Sequence, residues 1–137
     1  MKKTVLKSIY NILGSICIGN GCWMLASASN WFHTLPIDAT DTGPLNTHFV
    51  HDLGLVFTLA GIGALWCGYK LKDCIEVHLG ITFFISGHAL IHIFEILSGA
   101  LPQSHWLIDF PLITFPAILL LSITPIMLKN NLLHENV

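Results

Sequence analysis

The chain has 137 residues, enough for one compact unit. Apolar residues make up 53% and charged residues 10%, with a mean hydropathy of +0.70; a soluble domain carries about 25% charged residues. So few charges cannot cover a water-facing surface, which points to lipid as the solvent, and a net charge of −2 with no basic block gives no support for nucleic-acid binding.

Four segments reach the roughly 20 apolar residues that a spanning helix needs. They are predicted over residues 4–28, 46–69, 73–98 and 109–128. In the first, Gly14, Ser15, Gly19 and Gly21 suit close helix packing. Its opening lysines and Ala26-Ser27-Ala28 also resemble a cleaved leader, but the run is longer than a leader core and is interrupted by Lys7, Asn11 and Asn20, so it reads as a spanning helix. A polar loop follows over residues 29–45. The second segment carries Gly54, Gly61, Gly63 and Gly68 for close contacts, and a very short connection at residues 69–72 makes it an antiparallel hairpin with the third. Residues 99–108, with Pro102, His105 and Trp106, lead to the fourth segment, where Pro111, Pro116 and Pro125 predict bends.

The expected architecture is therefore all-α: one domain over residues 1–137, an integral membrane four-helix bundle. Its six cations are Lys2, Lys3, Lys7, Lys70, Lys72 and Lys129, with no Arg, and all fall at one end of such a bundle. The positive-inside rule makes that end, with both termini, cytoplasmic, and places Trp31 and Trp106 at the outer interface. Cys17, Cys22, Cys67 and Cys74 form no CxxC pair and read as small apolar helix residues.

The ionisable residues are distributed unevenly. Six His (His33, His48, His51, His88, His92, His105) and five acids (Asp38, Asp41, Asp52, Glu95, Asp109) fall in the outer loops or outer half, without a fixed cation. His48, His51 and Asp52, at i, i+3, i+4, share one helix face, and His88, His92 and Glu95, at i, i+4, i+7, share another. Antiparallel pairing brings both faces to the outer end of one hairpin, with Asp109 at the same level. Within a bilayer such groups are costly unless they pair, bind something or line a wet cavity. Imidazole and carboxylate are the donors of Zn, Fe and Mn sites, and helix bundles build such sites from facing helices. His48, His51, Asp52, His88, His92, Glu95 and Asp109 thus form a candidate ligand set for a membrane metalloenzyme or metal-handling protein, with a lipid or quinone-like ligand.

Blander readings stand beside it. Asp109 before Pro111 suits an N-cap. Asp52 can pair with His48 or His51, and His92 with Glu95. Thr58, Ser86 and Ser98 can bond helix carbonyls. His78 and His134 fall toward the opposite end and are left out of the site. Two further functions stay open. One is a b-type haem held by His48 or His51 with His88 or His92. The other is a proton-linked carrier or complex subunit, acting as a homo-oligomer or with partners, whose polar cluster is a relay. No Gly-rich phosphate loop, GxSxG nucleophile or Cys/His acyl-transfer pair is present.

Gly43, Pro44, Asn46, His48, Phe49, Val50, Asp52 and Gly54, preceded by Trp31 and Pro36, resemble a motif of small, uncharacterised four-helix inner-membrane proteins of bacteria. The match covers about one-sixth of the chain. The resemblance implies topology and a bacterial inner-membrane location, and it carries no activity. The family position before the Asp is often Arg; here it is His51, and an Arg there favours pairing with Asp52 over metal ligation. By their own chemistry, Gly43 and Pro44 make a turn and Asn46 or Thr47 a cap.

Overall fold

The computed structural model describes residues 2–135, with side chains through residue 129. The side chain of His134 lies outside the described residues. The described residues are helical, without strands. Helix α1 spans Lys3–Ala26, α2 Ala28–Thr34, α3 Thr47–Lys70, α4 Ile75–Ser98, α5 His105–Ile108 and α6 Phe115–Glu135. A 3-10 turn at Ala39–Thr42 precedes α3, and a π-helical turn at Phe110–Thr114 leads into α6. Four helices, Lys3–Ala26, Thr47–Lys70, Ile75–Ser98 and Phe110–Lys129, are long and apolar enough to cross a membrane. Their bounds match the predicted segments within two residues.

The ends of these helices follow local chemistry. The Asn46 side chain accepts the Phe49 N–H at 3.1 Å and so caps α3, as the sequence predicts. Leu71, in the left-handed region at φ 54°, closes α3 with its N–H on the Cys67 carbonyl. Gly99, at φ 79°, ends α4. The first helix stops at Ser27 rather than at residue 28, and α2 turns inward, burying Trp31 and Phe32. Trp31 is therefore packed inside the bundle. Its indole N–H donates to Asn20 Oδ1 at 2.9 Å, while Trp106 stays exposed. Pro116 lacks an N–H and its ring displaces the carbonyl four residues back. The wide turn before it fits this, since the Thr114 and Phe115 N–H groups reach five residues back to Asp109 and Phe110.

Helices α1 and α3 approach closely enough for backbone contact. A Cβ built on Gly14 would lie 2.8 Å from the Gly61 carbonyl oxygen, and one on Gly61 2.7 Å from that of Gly14. Gly21 and Gly54 make a second reciprocal pair, at 2.5 and 3.0 Å. Seven-residue spacing on both helices keeps the two pairs on one seam of an antiparallel crossing. Gly68 abuts Asn11, and Gly63 faces Val77 and Ile81 of α4. Gly19 meets nothing, and Ser15 is exposed, so neither joins the seam.

Two apolar clusters fill the interior. The larger runs from Leu6, Tyr10 and Leu13 through Ala64 and Cys67 to Ile81, Ile85, Leu120 and Ile123. The smaller joins Met24, Ala28, Trp31, Phe32, Ala39 and Val50. All six lysines lie at one end of the bundle, and the connections over residues 27–46 and 99–109 form a lysine-free end.

Gly61→Ala is expected to force α1 and α3 apart and cost about 1–3 kcal/mol. Gly19→Ala, in open space, is expected to be neutral or slightly stabilising through helix propensity. Unfolding in mixed micelles of increasing denaturing-detergent fraction checks both.

Candidate functional site

The centre of the lysine-free end is Asp109, 2% exposed, immediately before the π turn. Its Oδ2 lies 2.9 Å from His92 Nδ1 of α4, and its Oδ1 lies 3.0 Å from His105 Nδ1 of α5. His105, 1% exposed, turns its other nitrogen, Nε2, to Asp41 Oδ2 at 3.3 Å. The result is an unbroken chain, His92–Asp109–His105–Asp41, leading from α4 to the exposed 3-10 turn.

Hydrogen-bond polarity fixes where the protons sit. A carboxylate only accepts, so each nitrogen facing one must carry a proton. His105 faces carboxylates with both nitrogens and is therefore the imidazolium. Burial pulls its pKa down, but hydrogen bonds and charge from Asp109 and Asp41 outweigh this and raise it above the ordinary histidine value. His92 donates from Nδ1, which leaves its Nε2 free as an acceptor.

His88 continues the line inward without a hydrogen bond. Its ring lies 4.8 Å from that of His92, edge to face, and packs on Phe57 at 5.6 Å and Phe84 at 6.3 Å. Among the described residues it has no hydrogen-bonding partner.

The structure thus brings together only part of the predicted set. His92 and Asp109 meet directly, and His88 touches His92. His48 and Asp52 instead pair with each other at 3.4 Å, with side chains 89% and 65% exposed. The reason is rotational: Val50 and Gly54 are buried on α3, and residues two positions away point to the opposite side. His51 is half-buried and makes no side-chain hydrogen bond among the described residues. Glu95 is also half-buried; its carbonyl accepts from Ser98 Oγ and from the Ala100 N–H, but among the described residues its carboxylate joins nothing. Among the described residues no three His, Cys, Asp or Glu side chains are grouped so as to hold a metal ion.

Several minor expectations also resolve. Asp109 caps no helix N-terminus with its side chain, because both oxygens are taken by imidazoles. His33 bonds the Ser29 carbonyl at 2.7 Å within its own helix. Thr58 bonds the Gly54 carbonyl at 2.8 Å, whereas Ser86 Oγ is buried without a partner among the described residues. The four cysteines are free, and all but Cys22 are buried.

A second imidazole, absent from the sequence-based site, lies at the lysine-bearing end. His78 is fully buried, with Nδ1 2.8 Å from the Tyr10 hydroxyl and Nε2 2.9 Å from Thr124 Oγ1. Thr124 spends its own proton on the Leu120 carbonyl and Thr82 on the His78 carbonyl. Thr124 must then accept from Nε2–H, and Tyr10 must donate to Nδ1. This histidine is a neutral cross-link between α1, α4 and α6. Its i, i+4 spacing with Thr82 was the available sequence signal.

Comparison with known proteins returns nothing: no protein-family profile, curated protein or solved structure matches the chain.

Asp109→Ala leaves two imidazole donors unpaired and is expected to cost about 1–3 kcal/mol, whereas Asp52→Asn, on an exposed pair, stays within about 0.5 kcal/mol. Because the His105 pKa is raised on folding, its stabilisation is full below the ordinary histidine value and is lost as pH rises through the raised one. Thermal unfolding followed across that interval is expected to show a fall in Tm with rising pH that His105→Gln abolishes.

Proposed function

We propose that this chain is a multi-pass protein of a bacterial inner membrane. Its lysine-bearing end and both termini are cytoplasmic, and its lysine-free end handles protons at the outer face. In this reading the chain is a proton-linked carrier or a subunit of a larger complex, and His92, Asp109, His105 and Asp41 are its relay. The lysine asymmetry supports the orientation. The resemblance of residues 31–54 to small bacterial inner-membrane proteins supports the location.

The observation that carries the reading is the buried ring of His105, whose two nitrogens each face a carboxylate. One of these, Asp109, is buried, and the other, Asp41, is 40% exposed. Such an arrangement connects a group in the apolar part of α4 to water through alternating acceptors and donors. A proton taken at His92 Nε2 allows the Nδ1 proton to pass to Asp109. His105 can then release one to Asp41 and the surrounding water. The arrangement matters because each imidazole turns one nitrogen to Asp109, so that charge gained at His92 is passed to the carboxylate that holds the His105 proton.

Nitrogen-15 NMR of histidine-labelled protein, with elemental analysis of the same sample, tests this reading. His105 is expected as an imidazolium at neutral pH that titrates above the free value, and Asp41→Asn and Asp109→Asn are each expected to lower that titration. Stoichiometric Zn, Fe or Mn lost in both His88→Ala and His92→Ala proteins would replace the relay with a metal site. A Soret band would replace it with haem. A His105 that titrates like free histidine also overturns the proposal.

A further inference from the structure

The two apolar clusters part at Phe57, which packs against both. Beyond it, toward the lysine-free end, the smaller cluster draws on α1, α2, the 3-10 turn and α3; among the described residues it takes nothing from α4 or α6. The larger cluster reaches along α4 only to Ala89. In this half, α3 and α4 meet through rings, Phe57 to Phe84 at 5.2 Å and Phe57 to His88 at 5.6 Å, and within α4 the His88 ring lies 4.8 Å from that of His92.

The polar capacity of this seam is largely uncommitted. His88 bonds no protein group among the described residues, and His92 commits only Nδ1, to Asp109. Two neutral imidazoles therefore offer one donor and two acceptors, side by side, within a helix apolar enough to span a membrane. An imidazole at that depth is costly unless it finds a partner. A lipid tail has no polar atom to supply. A phosphate headgroup calls for a free cation; this end has no Lys or Arg, and the His105 ring is already held between Asp109 and Asp41. A flat ring that partitions into lipid and carries oxygens at its edge suits the aromatic walls; as a carbonyl such an oxygen accepts from the His88 N–H, and as a hydroxyl it donates to a free nitrogen.

We infer that the seam between α3 and α4 binds the headgroup of a lipid-phase quinone. Its ring lies against Phe57 and Phe84, and one oxygen lies within hydrogen-bond reach of His88 and His92. The inference deepens the proposed relay and rests on it in one respect: the free Nε2 of His92 both receives the hydrogen bond of a quinol hydroxyl and begins the path to Asp41.

Isothermal titration of the full-length protein in nanodiscs with ubiquinone carrying a single isoprene unit tests the inference. Saturable binding of one molecule per chain is expected. His88→Phe and Phe57→Leu are expected to weaken it at least about tenfold, equivalent to about 1.4 kcal/mol. His88→Gln, which keeps a donor and an acceptor, is expected to retain most of the affinity, and Asp52→Asn all of it. Uptake that does not saturate overturns the inference. So does equal binding by folded His88→Phe and Phe57→Leu proteins, or equal displacement by a long-chain alcohol. Failure of the relay registers separately, as an ordinary His105 titration with quinone binding intact. Failure of the quinone site leaves the His105 titration raised.

Discussion

Asp109 is the group on which the lysine-free end depends. A carboxylate that is almost fully buried must have its oxygens satisfied by donors from the protein. Here two imidazoles do so, one from α4 and one from α5, and His105 reaches on to Asp41. One acidic side chain thereby ties together the end of α4, the approach to α6 and the loop before α3. The π turn that follows places Asp109 at this point, since its carbonyl receives the Ile113 and Thr114 N–H groups while its side chain is left free for the imidazoles.

The two buried histidines show how neighbours assign different roles to one side chain. His105 sits between acceptors and must hold two protons. His78 sits between a hydroxyl that donates and a hydroxyl that accepts, and holds one. The first is responsive to pH and opens onto water through Asp41; the second is a fixed tie among three helices. Chain position alone would not separate them, because each follows a short turn and lies near a helix start.

The four long helices were legible because hydropathy sustained over 20 residues leaves few alternatives, and the lysine distribution orders their ends. Half of the polar site was legible as well. His88 and His92 share a face by spacing, and Asp109 lies at the same depth. What spacing does not show is the direction a shared face turns. His48 and Asp52 share a face, but Gly54 and Val50 turn it away from the bundle. Gly54 held the missing information, since a residue two positions from a close helix contact points to the far side. His105 and Asp41 were obscure for another reason: they lie in connections whose path is set by tertiary packing and by no helical period. The partnership of Tyr10 with His78, 68 residues apart, is likewise a product of how helices pair.

The reciprocal glycine contacts between α1 and α3 bear on how the molecule assembles. These two helices are consecutive spans, and their seam is complete before α4 is needed. A hairpin of this kind can form as soon as its second helix has left the ribosome, with only the loop around α2 to close. The buried polar groups of α4 and α6 meet their partners later, when the second hairpin docks. Assembly of the helices thus divides into an early step driven by backbone proximity and a late step driven by hydrogen bonding. Glycine substitutions on the seam act on the first and changes at Asp109 or His78 on the second, so they are separable as early and late lesions in biogenesis.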